Sequence, residues 1–121
     1  MKSSTGEVLV IDDDDTIREV ISLTLEDEGY AVLTAPNGAV ALELVYQSQP
    51  KLILLDMRMP VMDGWAFSEA YRQLPGTHAP IIVLTAATDA TLFASQIQAD
   101  SCLPKPFDLN QLIELVERYI S

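Results

Sequence analysis

Residues 52–60 read Leu52-Ile53-Leu54-Leu55-Asp56-Met57-Arg58-Met59-Pro60, four aliphatic side chains in a row that end on a carboxylate. An unbroken apolar run closed by a proline loop predicts a strand buried on both faces, as in a parallel sheet covered by helices. A carboxylate directly after such a run is expensive to bury without a use, which marks Asp56 for function. Comparable runs stand on either side: Val8-Leu9-Val10-Ile11, Ala31-Val32-Leu33, Ile81-Ile82-Val83-Leu84 and the short Cys102-Leu103.

Helical patterns fill the intervals. Asp14 or Asp15 can cap a first helix carrying Ile17, Val20, Ile21 and Leu25, with Gly29 as its left-handed stop. Asn37 can cap a second, with Ala41, Leu44 and Val45 on one face, and Asp63 a third through Trp65, Phe67 and Ala70, broken by Pro75-Gly76. Thr88 or Asp89 opens a weaker fourth through Leu92 and Ile97. Asp108 and Gln111 form a capping-box pattern before a fifth, whose predicted stripe is Leu109, Leu112, Ile113, Val116 and Ile120. Five strand-then-helix repeats with right-handed crossovers predict an α/β fold: a doubly wound five-stranded parallel sheet with helices on both faces.

The chain has 121 residues. Against about 150 residues per domain, that predicts a single domain over 1–121, with its core at about 7–120 and no room for an output domain. Lys plus Arg number 7 against 18 Asp plus Glu, a net charge of −11 that repels phosphate backbones and anionic lipid and argues against nucleic acid as a direct partner. No aliphatic run approaches the roughly 18 residues of a membrane span, and Asp12 to Asp15 interrupt any signal peptide, so a cytoplasmic protein with no membrane partner is expected. Cys102 is the lone cysteine, which excludes an internal disulfide and a Cys-based zinc site.

Doubly wound sheets bind ligands at the carboxyl ends of their strands. Asp12-Asp13 follow the first strand, Asp56 the third, Thr85-Ala86 the fourth and Lys105 the last. Three converging carboxylates raise one another's pKa unless a cation holds them together. All-oxygen ligands call for a hard ion, and few protein ligands with positions left for water and phosphate favour Mg2+ over calcium. A calcium loop counted from Asp12 also puts Ile17 where such a loop needs glycine. Lys105 can neutralise a phosphoryl oxygen, Thr85 can donate to another, and small Ala86 leaves the approach open. These parts fit in-line phosphoryl transfer to a carboxylate.

Val10-Ile11-Asp12-Asp13-Asp14, Leu54-Leu55-Asp56-Met57-Arg58-Met59-Pro60 with Met62-Asp63-Gly64, Leu84-Thr85-Ala86 and Leu103-Pro104-Lys105-Pro106-Phe107 together resemble the receiver domain of two-component response regulators. The likeness spans roughly Glu7 to Ile120. It implies strand order 2-1-3-4-5, the order of a chemotaxis receiver. It implies Asp56 as phosphoacceptor, attacking the phosphohistidine of a sensor histidine kinase or histidine phosphotransfer protein. Asp13, Asp56 and the Arg58 carbonyl would ligate Mg2+, with Asp12 helping through water. Thr85, Lys105 and the backbone amides of Met57 and Ala86 would bind the phosphoryl group, and the Lys105-Pro106 bond would be cis. A downstream protein target or output domain would read the altered surface. The domain would catalyse only its own phosphorylation and dephosphorylation.

Departures from the pattern carry expectations of their own. Cys102 stands three residues before Lys105, where the family usually has Tyr or Phe. Coupling from Asp56 to the distal face is then weakened or uses another side chain; equal changes in partner affinity on phosphorylation of wild type and Cys102→Tyr would contradict this. Gln98 occupies a common turn-glycine position, which suggests a slightly altered path into the last strand. Arg58 and Ala87 lie where the family tunes loss of the phosphoryl group.

Several residues keep plainer readings. Asp14 and Asp15 read as helix capping, Met57, Met59 and Met62 as loop packing, Trp65 as partly buried, Cys102 as an inert strand thiol and His78 as a solvated loop residue. The uncharged stretch Ala90 to Ala99, with Cys102 and Tyr119, is either an apolar face on the fourth helix, last strand and fifth helix suited to a partner or homodimer, or a stretch whose Leu92, Phe93 and Ile97 turn into the core.

The leading reading is a phosphoryl-accepting signalling switch, either free-standing or the receiver part of a longer regulator. The rivals are a Mg2+-dependent small-molecule phosphatase using Asp56 as nucleophile, a degenerate receiver acting as a constitutive binding module, and a flavin binder. The phosphatase lacks residues for a substrate cap, the intact Asp56, Thr85 and Lys105 positions weaken the degenerate receiver, and the acidic first loop would repel a flavin phosphate.

Overall fold

The computed structural model describes residues 7–120. Its order is β1 (Val8–Ile11), α1 (Asp15–Asp27), β2 (Val32–Ala35), α2 (Gly38–Ser48), β3 (Leu52–Asp56), α3 (Gly64–Arg72), β4 (Ile81–Ala86), α4 (Ala90–Ile97), β5 (Ser101–Lys105) and α5 (Leu109–Ile120). The strands form one parallel sheet in the order β2-β1-β3-β4-β5, the predicted order.

Alternate residues of the central strands feed two cores. Leu9, Ile11, Ile53, Leu55 and Val83 pack with Ala41, Val45, Phe67, Tyr71 and Phe93 beneath α2, α3 and α4. Val8, Val10, Leu52, Leu54, Ile82 and Leu84 pack with Ile21, Leu25, Leu112 and Val116 beneath α1 and α5. Two covered faces explain why β1 and β3 read as unbroken aliphatic runs. The flanking strands differ: β2 and β5 are edges and only partly buried, and pairing of Val8 with Val32 shifts β2 later than expected, to end at Ala35.

Helix starts follow the sequence closely. Asp14 caps α1 by accepting from the N–H groups of Thr16 (2.9 Å) and Ile17 (3.2 Å), Asn37 caps α2 through Val40 (3.0 Å) and Asp63 caps α3 through Ala66 (2.9 Å). Asp89 opens α4 without a side-chain cap bond. At α5 the Gln111 side chain accepts from the Asp108 N–H at 3.3 Å, while Asp108 accepts from Asn110 rather than Gln111.

The structure corrects other details. The α5 face toward the sheet is Leu112, Leu115, Val116, Tyr119 and Ile120; Leu109 is exposed and Ile113 lies off that face. Val20 of α1 is exposed. His78 is half-buried: its Nε2 lies 2.7 Å from the Leu74 carbonyl oxygen and its ring packs edge-on against Tyr71. In α4, Phe93 and Ile97 turn into the core while Leu92 remains exposed, so the uncharged stretch divides between the two readings.

Candidate functional site

Parallel strands bring all their carboxyl ends to one edge. Ile11 pairs with Leu55, so Asp12 and Asp56, the next residues, emerge side by side. Asp56 pairs with Leu84, just before Thr85, and the β4–β5 register sets Thr85 beside Pro104 and Ala86 beside Lys105. Residues from four separated segments thereby meet without a dedicated loop.

Carboxylate oxygens of Asp12, Asp13 and Asp56 lie within 4.8 Å of one another. Asp12 is fully buried; its Oδ1 accepts from the Asp14 N–H at 2.9 Å and its Oδ2 from Lys105 Nζ at 2.8 Å. Lys105 Nζ is also 3.7 Å from Asp56 Oδ1. Asp13 is exposed, Asp56 and Thr85 are buried, and Ala86 is exposed. Arg18 donates to the Asp12 carbonyl at 2.6 Å and also pairs with Asp15, which anchors the start of α1 to the site.

Burial is the main cause that pushes Asp56 up to about 7 from 3.8. The Asp12 charge adds to it, Lys105 opposes it, Asp13 raises it further and a hydrogen bond from the Met57 N–H lowers it. One lysine among three carboxylates therefore leaves the cluster short of positive charge. Hard oxygen donors, one exposed and two buried, fit a small divalent cation that would complete the neutralisation.

The loop after Asp56 is held by two close approaches. The Gly64 N–H donates to the Met57 carbonyl at 2.9 Å, and a Cβ on Gly64 would meet Met57 Cα at 2.8 Å and the Asp56 carbonyl oxygen at 2.9 Å. The Gly38 N–H donates to the Met62 carbonyl at 2.9 Å, and a Cβ there would meet that same oxygen at 2.9 Å. Neither contact was visible in the sequence, although Met62-Asp63-Gly64 belonged to a quoted motif. The Lys105-Pro106 peptide is cis, as the resemblance implied. Gln98 takes the left-handed conformation (φ 57°) at the end of α4, which preserves a glycine-like turn.

A family model described as the response regulator receiver domain matches residues 8–117. The chain is a response regulator receiver domain. It is 42% identical over 120 residues to the DNA-binding transcriptional regulator NtrC of Escherichia coli, covering 96% of this chain and 25% of that protein. This receiver thus spans about a quarter of the length of that relative. Among solved structures, the chemotaxis response regulator CheY4 of Vibrio cholerae matches with a TM-score of 0.86 and 34% identity, covering 96% of this chain and 99% of that one. The receiver domain of NtrX from Brucella abortus matches with a TM-score of 0.82 and 29% identity, covering 93% and 97%. The receiver is accordingly a phosphoryl-accepting switch of two-component signalling, and the phosphatase and constitutive-module readings are not favoured. No helix among the described residues is long and apolar enough to cross a membrane.

A cavity of about 590 Å³ opens at the opposite, amino edge of the sheet, lined in part by Tyr46, Lys51, Tyr71 and His78. It shares no residue with the acidic cluster.

Proposed function

We propose that Asp56 is the phosphoacceptor and that the carboxyl edge of the sheet is built around its phosphorylation. A carboxylate oxygen of Asp56 attacks the phosphorus of a phosphohistidine in line. The P–N bond breaks, and the imidazole leaves with its electron pair and takes up a proton. Asp56 must be ionised to attack, and with its pKa near 7 it needs positive charge beside it.

Asp13, Asp56 and the Arg58 carbonyl would hold Mg2+, with Asp12 acting through water. When bound there, the ion would supply positive charge that favours ionised Asp56 and offsets the charge of the phosphoryl oxygens. Lys105, 3.7 Å from Asp56, then turns from the carboxylate to a phosphoryl oxygen. Thr85 donates its hydroxyl to a second oxygen, and the Met57 and Ala86 amides complete the cradle.

The observation that carries this reading is the meeting of Asp12, Asp13 and Asp56 within 4.8 Å, with the Lys105 ammonium against two of them, at the edge where doubly wound sheets work. The donor in this reading is a sensor histidine kinase or phosphotransfer protein in the cytoplasm. The reader is a protein target or an attached output domain, and an acidic receiver does not itself touch nucleic acid. It acts as a switch rather than a turnover catalyst, accelerating only its own phosphorylation and dephosphorylation.

Incubation with acetyl phosphate and Mg2+, followed by intact mass, tests the reading. One phosphoryl group on wild type, not taken up when Mg2+ is chelated beforehand and absent in Asp56→Asn, is expected; uptake independent of Mg2+ overturns the metal role.

A further inference from the structure

We propose that Arg58 couples phosphorylation to the position of α4, through its seat on the Phe93 and Trp65 rings. This rests on Asp56 as the phosphoacceptor and supplies the side chain that Cys102 leaves missing from β5.

Arg58 follows Asp56 by two residues and is exposed. Its guanidinium carbon lies 5.1 Å from the Phe93 ring centre and 6.0 Å from that of Trp65. Those rings meet edge to face at 4.7 Å, Trp65 from α3 and Phe93 from α4. Among the described residues Arg58 makes no ion pair, so its charge rests on aromatic faces beside a cluster of carboxylates.

The same side of α4 is tied to α3 by two more side-chain links. Trp65 Nε1 donates to Gln96 Oε1 at 2.8 Å, and Arg72 donates to the Ile97 and Gln98 carbonyls at 2.9 and 3.0 Å. Between these links lies a cavity of about 340 Å³ lined by Trp65, Ser68, Arg72, Gln96 and Ile97. The two helices are bridged rather than closely packed there, an arrangement that lets α4 shift when one bridge changes.

Phosphorylation replaces the single carboxylate charge of Asp56 with up to two charges on the phosphoryl oxygens, two positions from Arg58 and farther out from the backbone. Arg58 is exposed to water, and such a guanidinium over aromatic rings is held more weakly than one hydrogen-bonded to a phosphoryl group, whose oxygen geometry suits planar, forked Arg. Arg58 therefore leaves the rings for the phosphoryl group. Phe93 loses the cation that covered it, and the α3–α4 contact relaxes toward a second arrangement.

Trp65 is the single tryptophan, so its emission reports the ring that Arg58 covers. Emission and amide hydrogen exchange over residues 90–97 are measured in the Mg2+ form and after acetyl phosphate, with phosphoryl content read by intact mass. Wild type is expected to change emission in proportion to phosphoryl content and to exchange faster in α4. Arg58→Ala, compared at equal phosphoryl content, is expected to lose both responses, and Arg58→Lys to restore part of the emission change. Phe93→Leu, which removes the ring and keeps Arg58, is expected to lose the α4 response.

Phosphorylated Arg58→Ala or Phe93→Leu responding as wild type does overturns the proposal, as does phosphorylated wild type with unchanged emission. Absence of phosphoryl gain in wild type overturns the site reading beneath it, and is read in the mass rather than the emission.

Discussion

Metal-free Asp56 titrates near neutrality because burial and the Asp12 charge penalise its ionised form. A folded pKa of about 7 above an ordinary 3.8 favours the protonated acid in the fold. That contribution to stability is full below about pH 4 and is lost as pH rises through about 7, amounting to up to about 4 kcal/mol. Urea unfolding in chelator is expected to show wild type gaining on Asp56→Asn as pH falls from 8 to 4; parallel profiles would contradict the burial argument. Val61 is a second residue with a local cost. It sits at φ 70° and is 84% exposed, with the Met62 N–H donating to the Pro60 carbonyl across it at 2.8 Å. A β-branched side chain is strained there and packs on little, so Val61→Gly is expected to raise unfolding stability by about 1 kcal/mol, net of the entropy glycine adds to the unfolded chain.

At the scale of elements, the junction between β3 and α3 aims the acceptor. Asp63 caps α3, and Gly64 lets the helix start lie against the backbone of residues 56 and 57. Gly64→Ala forces a methyl onto that backbone and is expected to cost about 1–3 kcal/mol in urea unfolding and to slow phosphoryl uptake. Unchanged uptake and stability would show that the loop yields freely. Much of this level was legible in the sequence, because aliphatic runs mark strands covered on both faces and Asp or Asn marks helix starts. The exceptions have physical causes. β2 and β5 are edges whose bounds are set by pairing with a neighbour rather than by their own hydrophobicity. The α5 face is rotated about the helix axis from the expected stripe, taking in Leu115 and Tyr119 and releasing Leu109 and Ile113, since the packing angle on the sheet, which the helix's own sequence does not encode, sets which side is covered. Close approaches at Gly38 and Gly64, the edge contact of His78 on Tyr71 and the seat of Arg58 join residues from different segments, and no local pattern encodes them.

Topology does for the whole molecule what no single segment does. Asp12, Asp56, Thr85 and Lys105 are spread over most of the chain and meet because four parallel strands end at one edge. The candidate residues could be picked out in the sequence because each stands at or near the end of a strand-like run; their distances and the high proton affinity of Asp56 required the fold. A net charge of −11 with three carboxylates gathered in one place makes the molecule sensitive to cations. At a hundredfold excess over its Kd, Mg2+ is expected to stabilise the fold by about 3 kcal/mol, a rise in Tm on the order of 10 °C. Asp13→Asn is expected to lose most of that rise at matched ionic strength, whereas an equal rise in the variant would reduce the effect to general screening. The central claim is that Asp56 itself takes the phosphoryl group. The most direct measurement treats acetyl phosphate-labelled protein with borohydride, which reduces an aspartyl phosphate to homoserine, and sequences the peptides. Homoserine at position 56 alone is predicted; homoserine at 12 or 13, or phosphate retained on another side chain with position 56 unchanged, would contradict the account.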